Sequence, residues 1–193
     1  MNMIYVSDLF SKKRWFLDYC RYYGRYNKGM IEKMLIILVL LPLSLQAQKG
    51  VTLGNMNMTY QIVGDEIQIQ LKAPTTGWLG IGFNSTNSIV KSDLYLPRVR
   101  NGSLEGIDMY VAGAGNPKND TLLGGSNNLK LINGIEDNNS TELTFRLPLP
   151  SNDKYDYTHS LSREFWLILA YSQSDDYNHH STMRKHVPFK FLN

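Results

Sequence analysis

Cysteine is almost missing from this chain of 193 residues: the single one is Cys20. Residues 48–193 therefore have no disulfide framework, no cysteine metal site and no cysteine nucleophile. Net charge is nearly missing from the same stretch. The whole chain carries +3, but seven of its 20 basic and three of its 17 acidic residues lie in 1–47, leaving 13 against 14 for the rest. The basic excess belongs to the N-terminal segment, so the remainder has no electrostatic footprint for DNA or RNA, and nucleic acid is excluded as a partner. A helical period is absent after residue 50, as are internal repeats and low-complexity tracts. No Gly-x-Ser-x-Gly elbow surrounds Ser172 or Ser181, which argues against a serine nucleophile beside His180.

What the N-terminal segment does contain is a basic, aromatic stretch over 1–29 and then an apolar run, Met34 to Leu45, ending Gln46-Ala47-Gln48. The run is shorter than the ~20 residues a comfortable membrane span needs. It reads as a secretory signal over 30–47 with cleavage after Ala47, which makes 1–29 a doubtful upstream extension. The alternative is an uncleaved signal-anchor that holds the following domain at the outer face of a membrane. Either way the domain over 48–193 is expected to be secreted, periplasmic or extracellular.

From residue 50 the pattern has period two. Met58–Val63 and Glu66–Lys72 alternate apolar and polar side chains around Gly64-Asp65, predicting a hairpin with one face buried and one wet. Further strands are predicted at 77–84, 92–96, 107–112, 129–132, 141–147 and 165–171, with a last edge strand at 187–191 that Pro188 keeps from the sheet interior. Gly113 to Pro117 reads as a turn, and Asn133-Gly134 as part of a connection. About nine short strands separated by Gly, Asn and Pro make an all-β sandwich or barrel. In Gly77-Trp78-Leu79-Gly80-Ile81-Gly82-Phe83 the glycines alternate with large apolar residues, which marks close approach of another backbone or a ligand.

Near the C-terminus the unbroken apolar strand Phe165–Tyr171 feeds a polar loop, Gln173 to Asn178. The segment 179–186 then holds three of the four histidines. Asp175-Asp176 beside Ser and Asn are the side chains of a turn rather than a catalytic pair. His180 and His186 would share a face of an extended segment, but six residues span about 20 Å, too far to chelate one ion without a bend. His179 and His180 would point to opposite faces, which leaves little support for a copper site.

These residues together resemble the DOMON domain: the Gly77–Asn84 strand, Ser92-Asp93-Leu94, Asp108-Met109-Tyr110 with Gly113, the Phe165–Tyr171 strand, and Asp176-Tyr177-Asn178-His179-His180 with Met183-Arg184. The likeness covers roughly residues 50–191. It implies an immunoglobulin-like antiparallel β-sandwich of about nine to eleven strands that binds haem b or a sugar-type ligand at one end. In haem-binding members a methionine after the glycine–aromatic strand and a histidine after the Trp-containing strand hold the iron. His180 matches that histidine, with His179 as the one-residue slip, and His180 is the metal-ligating candidate. The methionine does not carry over. Ile89 stands four residues before Asp93, and the methionines left after residue 48 are Met56, Met58, Met109 and Met183.

A haem needs an axial donor, an apolar slot and groups for its propionates. Trp78, Ile81, Phe83, Ile89 and Trp166 are the expected walls, and Arg184 and Lys185 the expected propionate contacts. The resemblance therefore implies a secreted ligand-binding module, not catalytic by itself. It would take haem b for electron transfer with a separate redox partner, or for haem binding. A carbohydrate or other small ligand without haem is the alternative, which Ile89 favours, and part of a copper monooxygenase-like system is the third reading.

Overall fold

The computed structural model describes residues 49–149, 151 and 153–192. The extension at 1–29 and the signal or anchor at 30–47 lie outside the described residues. Among the described residues eleven strands make up nearly all of the regular structure: β1 Lys49–Leu53, β2 Met56–Val63, β3 Glu66–Ala73, β4 Leu79–Asn84, β5 Asp93–Arg100, β6 Ser103–Gly113, β7 Asn116–Asn119, β8 Lys130–Glu136, β9 Thr141–Pro148, β10 Phe165–Tyr171 and β11 Met183–Phe189. A single-turn helix, α1 Asp120–Leu123, follows β7. No helix among the described residues is long and apolar enough to cross a membrane.

The strands form two sheets in the orders β1-β2-β3-β9-β8 and β11-β10-β4-β5-β6-β7, and every adjacent pair is antiparallel. This is the expected all-β sandwich. Alternation places every second side chain of β2, β3 and β9 inward. Met56, Met58, Ile67, Ile69, Leu71, Leu143 and Phe145 meet Leu79, Ile81, Phe83, Tyr95, Leu167 and Leu169 of the facing sheet, all buried. The β2–β3 hairpin turns at Gly64, whose φ of 63° suits glycine.

Three details differ from the sequence reading. Asn133-Gly134 is not a turn. β8 runs through it with a bulge after Leu131, and the glycine serves packing: a Cβ at Gly134 would come within 3 Å of Leu104, Val99 and Leu143. Asn116 and Pro117 begin the edge strand β7, where a proline without an N–H is tolerated. The last strand starts at Met183 and sets Pro188 opposite Trp166 on the outermost position of its sheet.

Candidate ligand cavity on the outer face of the six-stranded sheet

The outer face of the six-stranded sheet has an unusual composition. Position by position it presents Gly80 and Gly82 from β4, Leu94 and Leu96 from β5, Ile107 and Met109 from β6, and Ile168 and Ala170 from β10, and all eight line one cavity of about 480 Å³. That volume falls in the range of small-molecule and cofactor sites, about 300–1,000 Å³. The glycines make the floor. A Cβ at Gly82 would lie 2.4 Å from Leu94 Cδ2, and one at Gly80 would lie 2.9 Å from Leu96 Cδ2. Trp78, Leu96 and Ala170 form a small apolar cluster there, with Ile107, Met109 and Tyr177 packed against it.

The roof is the loop after β10, and it is held by backbone. Gly77 has no Cβ because the loop passes directly over it: an added atom would sit 2.5 Å from Ser172 O and from Ser174 N. Ser172 N donates to Trp78 O at 3.0 Å, and Trp78 Nε1 donates to Asp176 O at 3.1 Å. Thr75 Oγ1 donates to Ser172 O. Asp176 Oδ1 accepts from both nitrogens of Asn178, and Asp176 O accepts from His179 N at 2.9 Å, so this aspartate shapes the turn as expected. From the sheet, the buried Arg98 pairs with Glu105, donates to Asp175 O and lies 3.9 Å from the centre of the Tyr177 ring. Burial, partly offset by Arg98, pushes the Tyr177 hydroxyl up to about 12, so it is a neutral phenol at physiological pH.

The loop places both His179 and His180 on the cavity, but not equivalently. His179 Nδ1 is engaged by Ser172 Oγ at 3.2 Å and the His180 carbonyl at 3.1 Å. The His180 ring has no protein hydrogen bond among the described residues, which leaves its nitrogens available to a ligand. Trp78, Ile89 and Arg184 also line the cavity, and Ile81 borders it while its side chain belongs to the core. The loop bearing Ile89 is organised by Asn84, whose Nδ2 donates to Ser88 O, Val90 O and Ser92 Oγ, and by His186, whose Nδ1 meets Asn87 Oδ1 at 2.9 Å.

Three expected members are placed elsewhere. Phe83 has the opposite strand parity from Gly82 and points into the core, 4.4 Å from the His159 ring and 5.6 Å from that of Phe165. Trp166 is on the outer side but opposite Asn84, beyond the end of the cavity. Lys185 alternates with Arg184 and extends toward Gly54. Several lining residues were not expected from sequence, and one of them carries a donor atom: Met109, half-buried on β6, is the only one of the four described methionines on the cavity. Met56 and Met58 are in the core and Met183 packs against it.

The fourth histidine, His159, sits between the sheets among Phe83, Tyr157, Phe165 and Phe191. Neither ring nitrogen has a hydrogen-bond partner among the described residues, and burial pushes it down to about 3, so it is neutral.

The DOMON domain family profile matches residues 52–172, which contain β2 to β10, the end of β1 and both glycines of the floor. Among solved structures, the cytochrome domain of Myriococcum thermophilum cellobiose dehydrogenase superposes with a TM-score of 0.56 at 12% identity, covering 76% of this chain and 82% of that one. The cytochrome b domain of pyranose dehydrogenase from Coprinopsis cinerea gives 0.54 at 12% identity, over 69% and 75%. At such identity the likeness is one of fold. A comparison with curated proteins returns no match. The profile spans well over half of the chain, and the sandwich it describes is the one observed: the chain belongs to the DOMON domain family.

Proposed function

We propose that this domain binds haem b in the outer-face cavity, with His180 and Met109 as its iron donors, and exchanges single electrons with a separate partner protein. One observation carries the reading: an imidazole without a hydrogen-bond partner among the described residues, a thioether and a guanidinium meet on one apolar cavity floored by glycine. Histidine and methionine are an established haem donor pair, and the cytochrome domains of similar fold support the choice of group. When bound, haem supplies one-electron redox chemistry. The chain's own residues do the rest. Leu94, Leu96 and Ile168 offer the ring an apolar seat, and a substituent at Gly82 would displace Leu94 into it. Arg184 offers a propionate a charge-assisted bond. Arg98, Tyr177 and Ser172 hold the loop that aims His180. We further place the domain outside the cytoplasm, on the strength of the apolar run before Gln48.

Ile89, on the cavity at the position where the resemblance leads one to expect methionine, supports a second reading: a small carbohydrate or other ligand bound without haem. Protein produced with haem supplied distinguishes the two. The haem reading expects a Soret band and saturable uptake on titration. Failure of both, with heat released on titrating oligosaccharides, would establish the second reading in its place.

A further inference from the structure

On the other side of β5 and β6 from the cavity rim, five aspartates converge from separate segments. Asp93 opens β5, Asp108 lies in the middle of β6, Asp120 opens α1, and Asp153 and Asp156 come from the connection between β9 and β10. Carboxylate oxygens of Asp93, Asp108 and Asp156 all lie within 4.8 Å of one another, and the same holds for Asp120, Asp153 and Asp156. The first trio is nearly sealed: Asp108 is 0%, Asp93 2% and Asp156 9% exposed.

In each member of the first trio one oxygen is fixed and the other is bare. Asp93 Oδ2 accepts from Tyr157 N at 2.8 Å and Asp108 Oδ2 from Asn128 N at 2.9 Å. Asp156 Oδ2 accepts from Ser151 Oγ and Asn128 Nδ2. The three Oδ1 atoms are buried and have no hydrogen-bond partner within bonding distance among the described residues, and neither have the two oxygens of Asp120, itself 0% exposed. The neutral donors that reach toward them, the Tyr95 hydroxyl to Asp93 and the Tyr110 amide to Asp120, bring no counter-charge. Among the described residues no lysine or arginine forms an ion pair with any of the five, and Lys154 lies over the Tyr155 ring. Buried carboxylates without a counter-charge are costly, and a metal ion is one of the few partners that removes the cost.

We propose that Asp93, Asp108 and Asp156 bind a calcium ion, with Asp120 and Asp153 completing its acidic surroundings. All-oxygen ligation selects a hard cation, and a Ca²⁺ shell places opposed oxygens about 4.6–5.2 Å apart, twice the ~2.3–2.6 Å bond, which the 4.8 Å envelope accommodates. A second cavity of about 560 Å³ borders the cluster: Asn128 and Ser151, which hold Asp108 and Asp156, line it together with Ser126 and Asp153. The ion ties the β9–β10 connection to β5 and β6, and Asp108 immediately precedes Met109, so it braces the strand that carries one wall of the ligand cavity. The proposal is independent of what that cavity binds.

The test uses the full chain stripped with chelator and then titrated with CaCl₂, without haem. The expected result is one bound calcium by atomic emission and a saturable rise in melting temperature of roughly 5–10 °C, the size that ligand linkage gives a small domain. Asp108→Asn and Asp156→Asn, which keep shape and remove charge, should each melt no lower than the stripped wild type and lose the calcium response. Should either variant fold poorly, Asp93→Asn is read in the same way, and the metal content of the wild type decides alone. No bound calcium and no shift at millimolar CaCl₂ would overturn the proposal. So would a full response surviving in folded variants, or a response to magnesium only.

Discussion

The two sheets of this sandwich share a core but treat their outer faces in opposite ways. On the five-stranded sheet the outer face is wet. Gln68, Gln70 and Lys72 of β3 stand beside Arg146 and Glu142 of β9, and they are joined by Gln70–Glu142, Lys72–Glu142, Arg146–Gln68 and Arg146–Glu66 contacts at 2.6–3.2 Å. On the six-stranded sheet the part of the outer face that floors the cavity is glycine, leucine, isoleucine, methionine and alanine, and every residue of β4 is buried. A sheet with a single core needs only one apolar face. The second apolar face has to be covered, and here the cover is a loop bearing two histidines and a cavity beneath it. The difference marks the candidate site without any appeal to motif.

The comparison can be broken most decisively at its floor. Gly82→Val puts atoms where Leu94 Cδ2 already lies, so haem affinity is expected to fall by at least about tenfold, or about 1.4 kcal/mol, while Gln70→Val on the opposite sheet should leave it unchanged. Equal losses in the two variants, measured by haem titration, would erase the distinction between the faces.

The shared interior is next. His159 is held at about 3 by burial, below the ordinary 6.5, so the folded state refuses a proton that the unfolded chain accepts. Its contribution is fully present above about pH 6.5 and is lost as pH falls toward 3, at about 1.4 kcal/mol per pH unit. Asp108, raised by burial to about 8, has the opposite sign: without a cation its contribution is lost as pH rises from about 4 to 8. The difference between wild type and His159→Phe isolates the histidine. Urea unfolding at pH 7 and pH 4.5 should show the wild type losing stability relative to the variant at the lower pH, and a constant difference would contradict the assignment.

Two arginines give a smaller contrast. Arg98, 7% exposed and holding Glu105, Tyr177 and the histidine loop, should cost about 2–3 kcal/mol as Arg98→Ala and weaken haem uptake as well. Arg146, part-exposed on the wet face, should cost less than about 1 kcal/mol as Arg146→Ala and leave uptake alone. Chemical denaturation of the pair measures both.

Much of this contrast is legible in the sequence. The alternation of Glu66-Ile67-Gln68-Ile69-Gln70-Leu71 announces a half-wet strand, and the glycines of Leu79-Gly80-Ile81-Gly82-Phe83 announce a close approach on one side. The resemblance pointed to His180, and the structure places it on the cavity. What one-dimensional pattern could not supply is which residues from distant strands share the space. Met109 belongs to a strand whose neighbour across the floor is Leu94, and only that pairing sets it on the same face as His180. Parity would have warned against Phe83 beside Gly82, and against Lys185 beside Arg184. The acidic cluster is hidden for a similar reason: Asp93, Asp108 and Asp120 come from three separate elements, and Asp153 and Asp156 from a connection further on, so that only the fold brings them together.

The account rests most heavily on His180 and Met109 acting from one cavity. The direct measurement is the visible and magnetic circular dichroism spectrum of haem-loaded wild type beside Met109→Leu. The wild type should be low-spin with a sulfur-to-iron charge-transfer band in the ferric state, and Met109→Leu should lose that band and shift toward high spin while retaining haem through His180. A Met109→Leu spectrum identical to that of the wild type would contradict the account.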